Sequence, residues 1–178
     1  MKVRFVFDAS PLIHLGKAEL SPWIASLDGE KYAVPAVFDE VVRKGKEMGF
    51  PDAFSTASLV EEGTLKVKAP SRKRVDSTIR IHIDIHRGES EVIALAKEMS
   101  AIAVLDDRVA RAVAKIQGAR VEGSYGVILR AAAKGSMSKE QGEEALGRLV
   151  ASGWRCDAEL YAALLKSLGE LTGRRSKT

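Results

Sequence analysis

The sequence predicts an α/β protein with a parallel sheet covered by helices on both faces. Three observations carry that expectation. Short, mainly apolar runs occur at residues 3–7 (VRFVF, broken only by Arg4) and 101–105 (AIAVL), as strands buried on both faces require. Segments with helical periodicity separate the strand-like runs. Both runs lead into carboxylates, Asp8 in one case and Asp106 with Asp107 in the other. In open parallel sheets, sites form at the carboxyl ends of strands.

The elements follow in order. Residues 3–7 form the first strand. Residues 11–27 are helical, with a break at Ser21 and Pro22. A short strand at 32–34 leads to Pro35, which suits a first helical turn. The helix after it puts Val37, Val41 and Val42 towards one side. DAFSTASLVEEG is a second helix, closed by Gly63. TLKVKAP alternates as a strand. The polar, basic stretch at 70–87 reads as a linker or mobile loop, and IHIDIH within it alternates as a strand would. GESEVIALAKEMS is a helix with Val92, Ile93, Leu95, Ala96 and Met99 at helical spacing. The strand at 101–105 follows, then the helix RVARAVAKIQG closed by Gly118, then ARVEGS as a short edge strand. YGVILRAAAKG, SKEQGEEALGRLVASG and DAELYAALLKSLGELTG are helical. Leu160, Leu164, Leu165 and Leu168 in the last of these pack on the core or on a second subunit. Residues 1–170 are expected as one domain, with 171–178 a basic tail.

At 178 residues the chain supports one core rather than two. No apolar stretch approaches the roughly 20 residues that span a bilayer, and no signal peptide is expected. The single Cys156 excludes an intrachain disulfide and a four-cysteine metal site, so the reducing cytoplasm is the expected compartment. A net charge of +4 and a pI of about 9.2 favour a polyanionic partner such as nucleic acid.

Each acid has two readings. Asp8 either caps the helix that follows or serves a site. Asp106 and Asp107 can each cap the next helix, but only one can do so, which leaves one acid over. Glu40 pairs with Lys44 at i+4 on a solvated face or turns inward, and Asp39 has the same choice. Glu89 and Glu91 open a helix, where negative charge is favoured by the dipole. On a strand, His82, Asp84 and His86 would share one face, either solvated or able to bind zinc or manganese. His14 follows an apolar pair and reads as a packing or capping residue. No glycine-rich phosphate loop follows the first strand, and Asp-Ala-Ser is not the Asp-x-Asp of phosphatases with a strand-end nucleophile.

Four segments together resemble one family. They are Asp8-Ala9-Ser10 after the first strand, VPAVFDEV with Glu40, RGESEVIALA with Glu91, and VLDDRVAR with Asp107. In this order the chain resembles PIN-domain proteins, the fold of metal-dependent ribonucleases that includes the VapC-type toxins. GSYGVILRAAAKG and the final helices extend the resemblance over nearly the whole chain. It implies a three-layer α/β/α sandwich with a central, mainly parallel sheet. It also implies a catalytic, metal-holding set of Asp8, Glu40, Glu91 and Asp107, with Ser10, Glu89 and Asp106 as secondary candidates. The cofactor implied is Mg²⁺ or Mn²⁺, which all-oxygen ligation suits. The activity implied is hydrolysis of phosphodiester bonds in RNA, with an antitoxin protein and a homodimer as further partners. Basic residues available to guide a strand are Lys17, Arg43, Lys44, Arg72, Lys73, Arg74, Arg87, Arg108 and Arg111. Arg111 has the alternative of pairing with Asp107 at i+4. The rival reading is a PIN fold that binds RNA or protein without cutting.

Overall fold

The computed structural model describes residues 2–81 and 85–173. Among these, five strands form one sheet: β1 (Arg4–Phe7), β2 (Glu30–Ala33), β3 (Leu65–Val67), β4 (Ile102–Val104) and β5 (Arg120–Glu122). Their order is β3-β2-β1-β4-β5, and every neighbouring pair is parallel. The centre is apolar on both faces, as the unbroken hydrophobic runs require; Phe5, Val6 and Phe7 are all buried. Phe7 pairs with Ala33 on one side and Val104 on the other. From β1 the chain builds outwards to β2 and β3, then returns to add β4 and β5 on the opposite side. The switch point of the sheet therefore lies between the carboxyl ends of β1 and β4, where a parallel sheet opens a crevice.

The helices are α1 (Ala9–Lys17), α2 (Ser21–Ser26), α3 (Pro35–Phe38), α4 (Gly45–Glu47), α5 (Pro51–Glu61), α6 (Arg72–Ile81), α7 (Arg87–Glu98), α8 (Arg108–Ile116), α9 (Tyr125–Lys134), α10 (Lys139–Ala151) and α11 (Ala158–Gly173). One turn of π-helix, Asp39–Lys44, joins α3 to α4. α1, α2, α5 and α9 to α11 pack among themselves, while α6 and α8 both pack on α7. Sheet and two helical layers make the expected sandwich. Leu12, Leu15, Ile93, Leu95 and Leu105 are fully buried between the layers. Each such side chain contributes roughly 1.5–3 kcal/mol of transfer free energy.

Residues 72–81 are not a loop but a helix, α6. α6 forms there because α7 supplies its cap. The Glu98 carboxylate accepts from both the backbone N–H and the hydroxyl of Ser71, immediately before the helix. About two turns further on, buried Thr78 donates to the Gln117 side chain at 3.3 Å. The alternating strand expected at IHIDIH is also absent where the structure is described: Ile81 ends α6 and His86 precedes α7. His82 and Asp84 lie outside the described residues. At the other end, Leu164 and Leu168 are buried, with α11 packed on α9 and α10. No helix among the described residues is long and apolar enough to cross a membrane.

Candidate active site

Asp8 follows β1 directly. Its backbone N–H donates to the Val104 carbonyl at 3.1 Å, so the β1–β4 ladder fixes the residue at the switch point. It occupies the N-cap position of α1 with an extended backbone, yet its side chain makes no capping bond. The capping reading therefore fails for Asp8. The residue is only 5% exposed and forms no ion pair among the described residues. Burial raises its carboxyl from 3.8 to about 7, helped by the charges of Glu89, Glu40 and Asp106 and opposed by the Ala9 backbone N–H. Ser10, half-buried, stands beside it in the first turn of α1.

The acidic doublet after β4 divides its work. Asp107 is the N-cap of α8, accepting from Ala110 N–H at 2.8 Å. Asp106 is the acid left over. Both its oxygens are held from the loop after β5: Ser124 N–H donates at 2.8 Å and Ser124 Oγ at 2.5 Å.

Glu89 and Glu91 are two residues apart on α7 and point to different sides. Glu89 accepts from His86 N–H at 2.9 Å, the return half of a capping box. Its carboxyl is raised, first by burial and then by the charges of Asp107 and Glu40, while the His86 backbone N–H opposes the shift. Glu91 is buried and accepts from Arg87 Nε at 2.9 Å. Glu89 thus lies in the field of Asp8, while Glu91 is engaged with Arg87. Glu40 sits in the π-helical turn, exposed, with its charge felt by both Asp8 and Glu89. The i,i+4 pair formed there is Asp39 with Arg43 at 2.8 Å, not Glu40 with Lys44.

Asp8, Glu40, Glu89, Asp106 and Asp107 therefore converge on one rim. Among the described residues, no three His, Cys, Asp or Glu side chains stand close enough to hold a metal ion as placed. The donor chemistry nonetheless fits a hard divalent cation. The groups are all carboxylates, and among the described residues the most buried one has no cation paired with it to offset its charge.

The basic residues are dispersed. Ser71 meets Glu98, and Thr78 meets Gln117, so α6 lies against the C-terminal ends of α7 and α8. Arg72, Lys73 and Arg74 are exposed at the start of α6, while the rim acids occupy the N-terminal ends of α7 and α8. From Glu89 to Glu98 that is about 14 Å of helix. Arg87 is spent on Glu91, and Arg111 binds Tyr125 rather than Asp107. Arg108 and Lys17 are exposed.

Two features of the rim escape a reading of the sequence. Ser124, before a helix, looks like an N-cap, but its backbone is already helical and its hydroxyl goes to Asp106. The π-helical turn under Glu40 has no composition signal, although such turns recur at functional sites.

A family model described as PIN domain matches residues 4–170. The chain belongs to the PIN domain family. A crystal structure of PAE2754 from Pyrobaculum aerophilum is similar in fold, with a TM-score of 0.52 and 18% identity over 74% of this chain and 99% of that one. No curated protein matches the chain.

Proposed function

We propose that this chain is an endoribonuclease that uses Mg²⁺ or Mn²⁺ to hydrolyse phosphodiester bonds in single-stranded RNA. One observation carries the reading: a buried, unpaired Asp8 at the switch point of the sheet, in the field of Glu89, Glu40 and Asp106. Membership of the PIN domain family, a nuclease-like fold family, supports it. Asp8, Glu40, Glu89 and Asp106 would hold the ion, with Asp107 adding negative charge from the α8 cap. Glu91, committed to Arg87, takes no part. A bound ion supplies Lewis acidity towards a phosphate oxygen and acidifies a water. The protein's own share is orientation. β1 and β4 fix Asp8, Ser124 fixes Asp106, and the capping box fixes Glu89. In the narrower form of this reading, the chain is the toxin of a toxin–antitoxin pair in the cytoplasm. Its antitoxin would cover the acidic rim, and the chain itself would be a homodimer.

A second reading, a PIN fold that binds RNA or protein without cutting, draws on the absence of three ligating side chains already in place among the described residues. Cleavage of fluorescent single-stranded RNA by the purified chain with Mn²⁺, Mg²⁺ or EDTA separates the two. The nuclease reading expects cutting that needs metal and is lost in folded Asp8→Asn. RNA binding without cutting in either metal would favour the second.

A further inference from the structure

We propose that Arg111 is the residue of this rim that grips a backbone phosphate of the substrate, and that Tyr125 positions it. The proposal rests on the nucleic-acid reading above and deepens it.

The arginines around the site fall into two groups. Arg43 closes on Asp39 at 2.8 Å, Arg87 on Glu91 at 2.9 Å, and Arg130 on both oxygens of Glu122 at 2.9 and 3.1 Å. Each is paired with a carboxylate of the same fold. Arg111 is different: among the described residues it forms no ion pair. Its Nη2 donates to the Tyr125 hydroxyl at 3.1 Å, and its guanidinium lies 5.7 Å from the centre of the Tyr125 ring. A guanidinium carries five N–H donors, and this contact spends one of them.

The guanidinium is also fenced in. A Cβ on Gly123 would stand 2.8 Å from Arg111 Nη1 and 2.7 Å from Tyr125 Cε1, so a bare backbone at 123 lets the stack close. Residue 111 lies one helical turn beyond Asp107, whose carbonyl accepts its N–H at 3.0 Å. The three-residue run of Gly123, Ser124 and Tyr125 thus does two jobs. Ser124 clamps Asp106 from one side, and Tyr125 holds Arg111 from the other.

One loop therefore orients a carboxylate of the rim and, through Tyr125, an arginine that has no ion-pair partner among the described residues. That is the pairing a phosphodiester needs. Negative groups hold a cation on one flank of the phosphate, and a planar fork of donors meets its non-bridging oxygens on the other. A loop-stabilising role would be served equally well by a neutral side chain on the ring. It gives no reason to keep a full charge without a carboxylate partner. Arg108 has the same charge at an exposed position but, among the described residues, no such brace. Holding Arg111 in advance lowers the ordering cost of contact.

The test is fluorescence anisotropy of a fluorescein-labelled, 12-nucleotide single-stranded RNA with the full chain in EDTA, from 50 to 200 mM NaCl. Arg111→Ala is expected to weaken binding about 5- to 10-fold and to lower the salt slope by roughly 0.7, one phosphate contact on a single strand. Arg111→Lys keeps the charge and the slope but loses about 2- to 3-fold, since an ammonium cannot form the fork. Tyr125→Phe keeps the ring and the fold, and is expected to bind about 3-fold more weakly. These two variants carry the test should Arg111→Ala fail to fold. Arg111→Ala with wild-type affinity and slope would overturn the proposal and leave the nuclease reading standing. Tyr125→Phe with wild-type affinity would remove the positioning role. Wild-type chain that fails to bind the RNA at 50 mM salt would overturn the phosphate grip outright, and metal-dependent cleavage then judges the nuclease reading separately.

Discussion

Ser124 donates twice to Asp106, its N–H to Oδ1 at 2.8 Å and its hydroxyl to Oδ2 at 2.5 Å, across 18 residues of sequence. Both oxygens of the leftover acid are therefore oriented by one fully buried residue on the neighbouring loop. Hydrogen bonds to a charged acceptor contribute about 1.5–3 kcal/mol each. Ser124→Ala keeps the backbone bond and loses the other. It should cost about 1–2 kcal/mol of stability in urea titration. Metal-dependent cleavage should fall about tenfold at low Mn²⁺ and partly recover at high Mn²⁺, because a loosely held carboxylate still binds the ion when driven by mass action. Unchanged cleavage across the Mn²⁺ range would mean that Asp106 is not a ligand.

The two glutamates of α7 give an internal control. Glu89→Gln should reduce cleavage a hundredfold or more, on the scale of removing a group that organises transition-state charge. Glu91→Gln removes only the ion pair with Arg87, whose side chain is 83% exposed, and should change cleavage less than threefold. Parallel kinetics on both variants decide the matter. The reverse ranking would return Glu91 to the site.

The sheet was legible in the sequence because its cause is local. Phe5 to Phe7 and Ile102 to Val104 are apolar without interruption, and such short runs bounded by polar residues suit a strand covered on both faces. Asp8 was legible as a candidate for the same reason, being the first charge after the run. The choices between paired acids were not. Glu89 and Glu91, or Asp106 and Asp107, differ in which way a helix start faces, and a neighbouring loop or arginine decides that. α6 was missed because its cap, Glu98, comes from the following helix, and its sequence, RKRVDSTIRI, is too polar to show an apolar stripe. The π-helical turn under Glu40 depends on a shift in hydrogen bonding that residue types do not encode.

The layer behind the site depends on a close approach. A Cβ on Gly16 would lie 2.7 Å from Asp52 Cβ and 3.1 Å from its Cα, where α1 meets α5. Neither atom can swing away, so Gly16→Ala must push the helices apart. The expected loss is about 1–3 kcal/mol, the usual range for overpacking, despite alanine's better helix propensity. A thermal midpoint equal to that of wild type would show that α5 can yield without cost.

Asp8 links stability to function through pH. Its carboxyl moves from an ordinary 3.8 to about 7 on folding, chiefly by burial. Between those values the folded chain keeps a proton that the unfolded chain has released, so stability falls as pH rises through that window. Above about 7 both states are ionised, and the cost levels off at an amount on the order of 4 kcal/mol. Asp8→Asn carries no such charge. In EDTA at pH 8 the variant should be more stable than wild type by about 1–3 kcal/mol, with its own buried amide offsetting part of the gain. The difference should shrink towards zero near pH 4. A divalent cation should narrow it from the other side, adding about 2.7 kcal/mol to wild type at a hundredfold excess over its dissociation constant. Urea titrations of both chains at pH 4.5, 6 and 8, with EDTA and then with Mn²⁺, read all three effects. An Asp8→Asn chain that is less stable than wild type at pH 8 without metal would mean that Asp8 is compensated by a partner inside the fold rather than left bare for an ion.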